Sequence, residues 1–263
     1  MGDITTSSML SSAASDVATT LTEFWDPNRN LILYEYGPVL HNKSSFIDIA
    51  VILGVLHGYA EDGLYSYTDD KVLATAFSIA SAFVQLYPIA GVTTDGNGAT
   101  IGIPIGRYPE DVYDGYGTEI NGGNPWFLCT VAMAELFYRA ANELRTSLSS
   151  FTVSHASAPF WTYFAPASGV VEGSTYSVGG SQFESAVAAL EGWADAFMRR
   201  IRYHSVGAGG HLAEEFNRGT GFEQGAADLT WSYAALLTVA FARAQLMNDT
   251  GYVKGIAELG FGR

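Results

Sequence analysis

Apolar residues recur at helical spacing in seven stretches of this chain, and almost nowhere do they alternate at the two-residue period of a half-buried strand. That pattern confines the fold to an all-α class. The stretches are Ser11 to Trp25, Ser45 to Tyr59, Asp69 to Tyr87, Pro125 to Arg145, Pro159 to Phe164, Ser181 to His204 and Asp228 to Met247. Leu31 to Tyr36 is a candidate for a short strand, but no regular alternation of strands and helices accompanies it. The runs Ile49 to Leu56 and Ala234 to Ala240 are apolar over wide arcs, so their helices should be covered on more than one side. Start signals accompany three helices. Asn124-Pro125 sets a cap residue before a proline, Asp228 can accept from free amides, and Ser181 with Glu184 has capping-box spacing.

Composition closes off other classes. A net charge of −14 with only 15% charged residues, against about 25% on average, leaves no basic patch to replace the counterions of a nucleic acid. With 48% hydrophobic residues the chain has matter for a large core and is not disordered. Val72 to Thr94 carries one charge-free run, but Ser78, Ser81 and Gln85 interrupt it and Pro88 ends it, so no membrane span is expected. Residues 1–21 have neither a basic start nor a continuous apolar segment and do not read as a signal peptide. Cys129 is the only cysteine, which excludes an intrachain disulfide and suits a packed thiol. Asn42 and Asn248 head glycosylation sequons, which matter if the protein is secreted.

The long loops are the unusual part. Ile89 to Gly123 and Ser205 to Ala227 far exceed the usual connection, and loops of more than about 12–15 residues in compact domains are commonly functional or disordered. The first holds Gly106-Arg107-Tyr108-Pro109-Glu110-Asp111, then Tyr113, and leads to Asn124-Pro125-Trp126. A guanidinium fork, carboxylates and flat rings are the groups that bind sugars; equally, an internal Arg107–Asp111 ion pair could simply tie the loop down. The second holds Gly209-Gly210-His211-Leu212-Ala213-Glu214-Glu215-Phe216-Asn217 and runs into Asp228-Leu229-Thr230-Trp231-Ser232-Tyr233. A loop-borne carboxylate beside aromatics can serve as a general base, although an arbitrary Glu-Glu pair is more often a solvated surface. The five histidines, His41, His57, His155, His204 and His211, show no paired metal-binding spacing, and His57 inside an apolar helix reads as a hydrogen-bonded core residue. No metal and no cofactor are expected.

On these stretches, together with Gly123-Asn124-Pro125-Trp126-Phe127-Leu128-Cys129 and Asp228 to Leu237, the sequence resembles the fungal glucoamylases of glycoside hydrolase family 15. Weaker similarity runs from Leu21 to Phe241, including Asp48 and Leu53 to His57, so the family-like region is about residues 21–249, with residues 1–20 an extension. The resemblance implies an (α/α)6 toroid of which the chain supplies about half the helices, and an extracellular parent protein. It implies release of glucose from the non-reducing ends of starch, maltose and malto-oligosaccharides with inversion, without cofactor, nucleic acid or membrane.

Carried over, Glu214 looks like the catalytic base, and Arg107 and Asp111 look like hydroxyl-binding residues. Trp126 and Trp231 look like subsite walls, and Tyr108 and Glu110 shape the binding loop. Glu215 and Phe216 stand where the family commonly has Gln and Tyr, so a hydroxyl beside the base is missing. The general acid of the family lies in a Leu-Trp-Glu-Glu motif of the N-terminal half, and Leu190-Glu191-Gly192-Trp193 does not match it. The chain then resembles a fragment that is inactive without its missing half, whose removal would leave inner helix faces exposed. The alternative is a non-catalytic carbohydrate- or partner-binding protein using the Arg107 and Trp126 surface.

Overall fold

The structure is a computed structural model describing residues 4–36, 43–118, 122–147 and 150–248. Among these described residues seven α-helices follow in order: α1 Ile4–Thr22, α2 Ala50–Gly58, α3 Asp70–Leu86, α4 Phe127–Ser147, α5 Ala158–Phe164, α6 Ser181–Ser205 and α7 Thr230–Leu246. Three antiparallel ribbons of two-residue strands join the loops: β1 Trp25–Asp26 with β2 Leu31–Ile32, β3 Phe151–Thr152 with β4 Thr175–Tyr176, and β5 Glu215–Phe216 with β6 Glu223–Gln224. All seven expected helices are present, and the class is all-α.

Helix α4 is the axis of the packing because its sequence is apolar almost all round. From Phe127 to Leu144 most of its side chains are buried, as expected for a helix covered on every side. It packs mainly on α6 and α7, and also on α2; α3 packs on α5 and β2. The core beside α4 is aromatic: Phe137 meets Phe160 and Phe164 of α5 at centroid distances of 5.4 and 4.9 Å and Phe197 of α6, in the α4–α6 seam, at 5.7 Å. Cys129 is buried here, and burial pushes its thiol well above the ordinary range, so it packs rather than reacts. In contrast α1 exposes Met9, Leu10 and Val17, and α7 exposes Trp231 and Leu237, leaving apolar surface on two helices. Among the described residues no helix is long and apolar enough to cross a membrane.

Three helix starts differ from expectation, two because the cap residue has another partner and one because the helix begins a residue early. Asn124 does not cap α4, which begins at Phe127. Trp126 first makes an extended bridge to Glu215, and the Asn124 amide donates to Asp114 O and Glu215 Oε2. Asp228 does not cap α7; it adopts φ 50° and its carboxylate accepts from Tyr233 and pairs with His211. Ser181 is the first residue of α6 rather than its cap, while Glu184 reaches back to the Gly179 amide at 3.2 Å. Helix α2 begins five residues later than Ser45, because Phe46 adopts φ 61° and the Ile49 amide donates to Arg107 O at 2.9 Å. Of Leu31 to Tyr36 only the first two residues pair. His57 corrects its expectation outright. It lies in the last turn of α2, exposed and lining a cleft, instead of being held in the core.

The first long loop is anchored by a buried cation. Arg200 of α6, only 1% exposed, donates to Gly102 O and Val92 O at 2.6 Å each and to Ile89 O at 3.4 Å. Burial depresses its guanidinium to about 10. Gly102 allows this approach: a Cβ there would lie 2.7 Å from Phe197 Cα.

Candidate active site

The two long loops meet at the N-terminal end of α4. Trp126 N donates to Ile105 O at 2.9 Å, Phe127 N to Glu214 O at 3.4 Å, and Phe216 N to Pro125 O at 3.1 Å. Backbone pairing therefore threads both loops onto the start of one buried helix. The second loop is also fastened to α7. Leu229 N donates to Leu212 O at 3.0 Å, Ser232 Oγ to Ala213 O at 2.9 Å, and Leu212 N to Tyr233 Oη at 3.1 Å. His211 Nδ1 lies 2.8 Å from Asp228 Oδ1, and that carboxylate raises the imidazole above its ordinary range.

Arg107 and Asp111 form a bidentate pair, Nε to Oδ2 at 2.7 Å and Nη2 to Oδ1 at 2.8 Å. The loop-tying reading of this pair is thus realised, yet the arginine side chain keeps 35% exposure against 2% for the aspartate. Its guanidinium lies 4.7 Å from the Trp126 ring, 5.3 Å from Tyr113 and 5.6 Å from Tyr108. The edge carrying Nε and Nη2 is fixed on Asp111, while the side chain as a whole stays partly exposed.

Glu214 is half-buried, and its Oε2 accepts from Tyr113 Oη at 3.1 Å. Gly225 makes room for this carboxylate, since a Cβ there would come within 2.7 Å of Oε2. Burial, and then the bond to Glu214, hold the Tyr113 phenol above its ordinary range, so it stays a donor. Tyr113 thus joins the arginine cluster to Glu214 and sets a hydroxyl beside that carboxylate, which Phe216 cannot do. Sequence reasoning placed Tyr113 in the loop but gave it no role; its position two residues after Asp111 was the available signal.

The remaining residues divide. Trp126 is 2% exposed, with its ring 5.5 Å from Trp231 and 6.1 Å from Tyr113, whereas Trp231 is 46% exposed. Of the two indoles, Trp231 is the accessible one and Trp126 lies buried beside it. Glu110 accepts from Ser45 N at 2.5 Å and from the hydroxyls of Ser44 and Ser45 at 3.0 Å each. Burial pushes that carboxyl up, but these bonds outweigh it and hold it below the ordinary range. Glu110 therefore clamps residues 44–45 to the loop. Tyr108 lies under Lys43 Nζ at 4.2 Å, and Lys43 also pairs with Asp48. A cleft of about 360 Å³ between α2, α4 and α7 opens beside Trp231, lined by His57, Leu128 and Glu135 among others. Among the described residues no group of three or more His, Cys, Asp or Glu converges as for a metal ion. Asn248 is exposed at the end of α7, and Asn42 lies outside the described residues.

The scaffold is all-α and carries an anchored guanidinium–carboxylate fork, an exposed indole and a loop-borne carboxylate, and the solved structures it superposes on are of the (α/α)6 toroid class. The chain belongs to the glycosyl hydrolases family 15, whose model matches residues 1–241. It is 51% identical to a glucoamylase of Blastobotrys adeninivorans, covering 98% of this chain and 41% of that protein. It is 37% identical to glucoamylase 1 of Rhizopus oryzae, over 92% of this chain and 39% of the relative. A solved family 15 glucoamylase from Hypocrea jecorina superposes with a TM-score of 0.76 at 31% identity, covering 90% of this chain and 37% of that one. The glucoamylase of Saccharomycopsis fibuligera gives a TM-score of 0.79 at 27% identity, over 91% and 50%. The chain therefore spans half or less of the length of these relatives.

Proposed function

We propose that this chain supplies the base-bearing part of a glucoamylase active site, releasing glucose from the non-reducing ends of starch, maltose and related α-1,4-glucans. The observation carrying this reading is the half-buried Glu214 carboxylate held by Tyr113 beside the anchored Arg107–Asp111 fork. Glu214 accepts a proton from a water as that water attacks the anomeric carbon. The bond to the leaving oxygen breaks as a second carboxyl, roughly 6.5–9.5 Å from the base in an inverting enzyme, delivers a proton to it. That second carboxyl belongs to the part of the domain that residues 1–263 do not supply. Arg107 presents its outer edge to sugar hydroxyls, Asp111 holds the fork in place, and Trp231, backed by Trp126, offers a face to the ring C–H groups. Tyr108 and Glu110 keep the loop in shape. On this reading residues 1–263 are one part of a catalytic domain, the parent acts outside the cell, and Asn248 and Asn42 are its glycan acceptors.

The test is glucose release from maltose and soluble starch by the chain alone and by the chain mixed with the N-terminal half of the Blastobotrys adeninivorans relative. The chain alone should release none, the mixture should be active, and Glu214→Gln should abolish the activity. An active mixture whose rate is unchanged by Glu214→Gln would remove the base assignment. Saturable binding of malto-oligosaccharide by an inactive mixture would favour a binding protein instead.

A further inference from the structure

Next to Glu214 stands a carboxyl that the reaction scheme leaves unused. Glu215 is 0% exposed, and its backbone pairs with Gln224 on one side and bridges Trp126 on the other. Its Oε2 accepts from Asn124 Nδ2 at 3.0 Å, while its Oε1 is fully buried without a hydrogen-bond partner. There is little space to relieve this. Gly115 lies so near that a Cβ there would come 3.2 Å from Oε2 and 2.7 Å from Gly225 Cα.

The charges around the site do not favour an anion. Glu214, the residue just before the strand, and Asp111 in the first loop repel it, and Arg107 attracts it from a position already committed to Asp111. Tyr87, from the end of α3, and Cys129, from α4, face the same region; burial pushes both well above their ordinary ranges, so they are neutral and supply no countercharge. Arg218 is turned to the carbonyls of Leu86 and Gly123. A buried carboxylate with one amide donor and one orphan oxygen is far costlier than the neutral acid.

We propose that Glu215 is a proton-carrying positioning residue: in its neutral form it hangs strand β5 from Asn124, and loss of its proton unseats the adjacent Glu214. The neutral acid is nearly isosteric with the Gln commonly found at this place in the family, which explains how the substitution is accommodated. The assignment of a positioning role rests on Glu214 being the base; the presence of the proton does not. Burial, acting with the neighbouring carboxylates, lifts Glu215 from 4.5 to about 8 against the opposing Asn124 bond. The folded form keeps a proton that the unfolded chain has lost across this window, so stability falls as pH rises from about 4.5 to about 8.

Two measurements test the proton and a third tests the role. The chain carrying ¹³C at its glutamate carboxyls should show one resonance titrating with a midpoint near pH 8; no glutamate resonance titrating above pH 7 would overturn the proposal, and this needs no variant. In urea unfolding the ratio of wild-type to Glu215→Gln unfolding constants should rise about tenfold per pH unit across the window. Parallel curves would overturn it. In the active mixture, Glu215→Gln should move the alkaline limb of kcat/KM to higher pH, and an unmoved limb would overturn the positioning role. A wild-type mixture without any glucose release would count against the hydrolase reading, while the resonance and the unfolding slopes would still decide the proton.

Discussion

Replacing Arg200 by methionine puts a number on the anchor of the first loop. The substitution keeps an unbranched side chain but removes the donors that hold Gly102 O and Val92 O at 2.6 Å and Ile89 O at 3.4 Å. Hydrogen bonds to charged groups contribute about 1.5–3 kcal/mol each, so the two short ones are worth roughly 3–6 kcal/mol together. Against this, the fall of the guanidinium from 12.5 to about 10 measures what burying the cation costs, about 3 kcal/mol at 1.36 kcal/mol per unit. The difference leaves Arg200→Met less stable by up to about 3 kcal/mol. Urea unfolding of the chain, analysed at constant m-value, is the assay. Because the held segment leads into Arg107, binding of malto-oligosaccharide by the active mixture should weaken as well. A methionine variant more stable than the parent would refute the reasoning. It would show that burial of the cation outweighs its bonds, as when some buried ion pairs are replaced by well-packed apolar residues.

Other outcomes follow from the same geometry. Gly106→Ala would place a Cβ 1.9 Å from Tyr87 Oη and 3.1 Å from Asn124 O; it should destabilise by about 1–3 kcal/mol in urea unfolding. Tyr113→Phe removes the hydroxyl held 3.1 Å from Glu214; kcat of the active mixture should drop about 10- to 100-fold, because small misplacements of a catalytic group have effects of that order. His204 is stacked on Phe216 at 4.3 Å, and burial, reinforced by Arg200, lowers its imidazole from 6.5 to about 4. The unfolded chain therefore binds the extra proton first, and stability is lost as pH falls from 6.5 towards 4, by up to about 3 kcal/mol. His204→Leu should flatten the unfolding free energy over that window; an unchanged slope would place the acid lability elsewhere.

The helices were legible because their apolar periodicity is local, but which of them is covered was not: the run Ala234 to Ala240 leaves Leu237 exposed, and α4 is the helix buried almost all round. What local reading mislaid were the starts. Asn124, Ser181 and Asp228 have the chemistry of caps, but Asn124 and Asp228 are recruited by Glu215 and Tyr233 across the structure, and Ser181 falls one place inside its helix. His57 failed for a related reason: the last turn of an apolar helix can face a cleft. At the site, Arg107 and Asp111 stand four residues apart and their pairing could be anticipated. The Tyr113–Glu214 bond joins residues 101 positions apart, and no short-range pattern encodes it. The orphan oxygen of Glu215 is equally invisible in sequence, since it depends on how closely Gly115 and Gly225 approach.

The two loops are gripped by different helices: the first by α6 through Arg200, the second by α7 through Ser232 and Tyr233, with α4 between them. The arrangement works as a calliper. Its jaws are Arg107 and Glu214, and the thickness of the interior sets their gap. A change at Phe137 or Phe197, deep in the α4–α6 seam, shifts the rod that carries one jaw while the other stays with α7. Protein interiors are too densely packed to absorb such a change locally. Core volume and the spacing of the Arg107 and Glu214 side chains are thus linked in this molecule, so that, on the proposed function, substrate fit can be tuned by residues that no sugar touches.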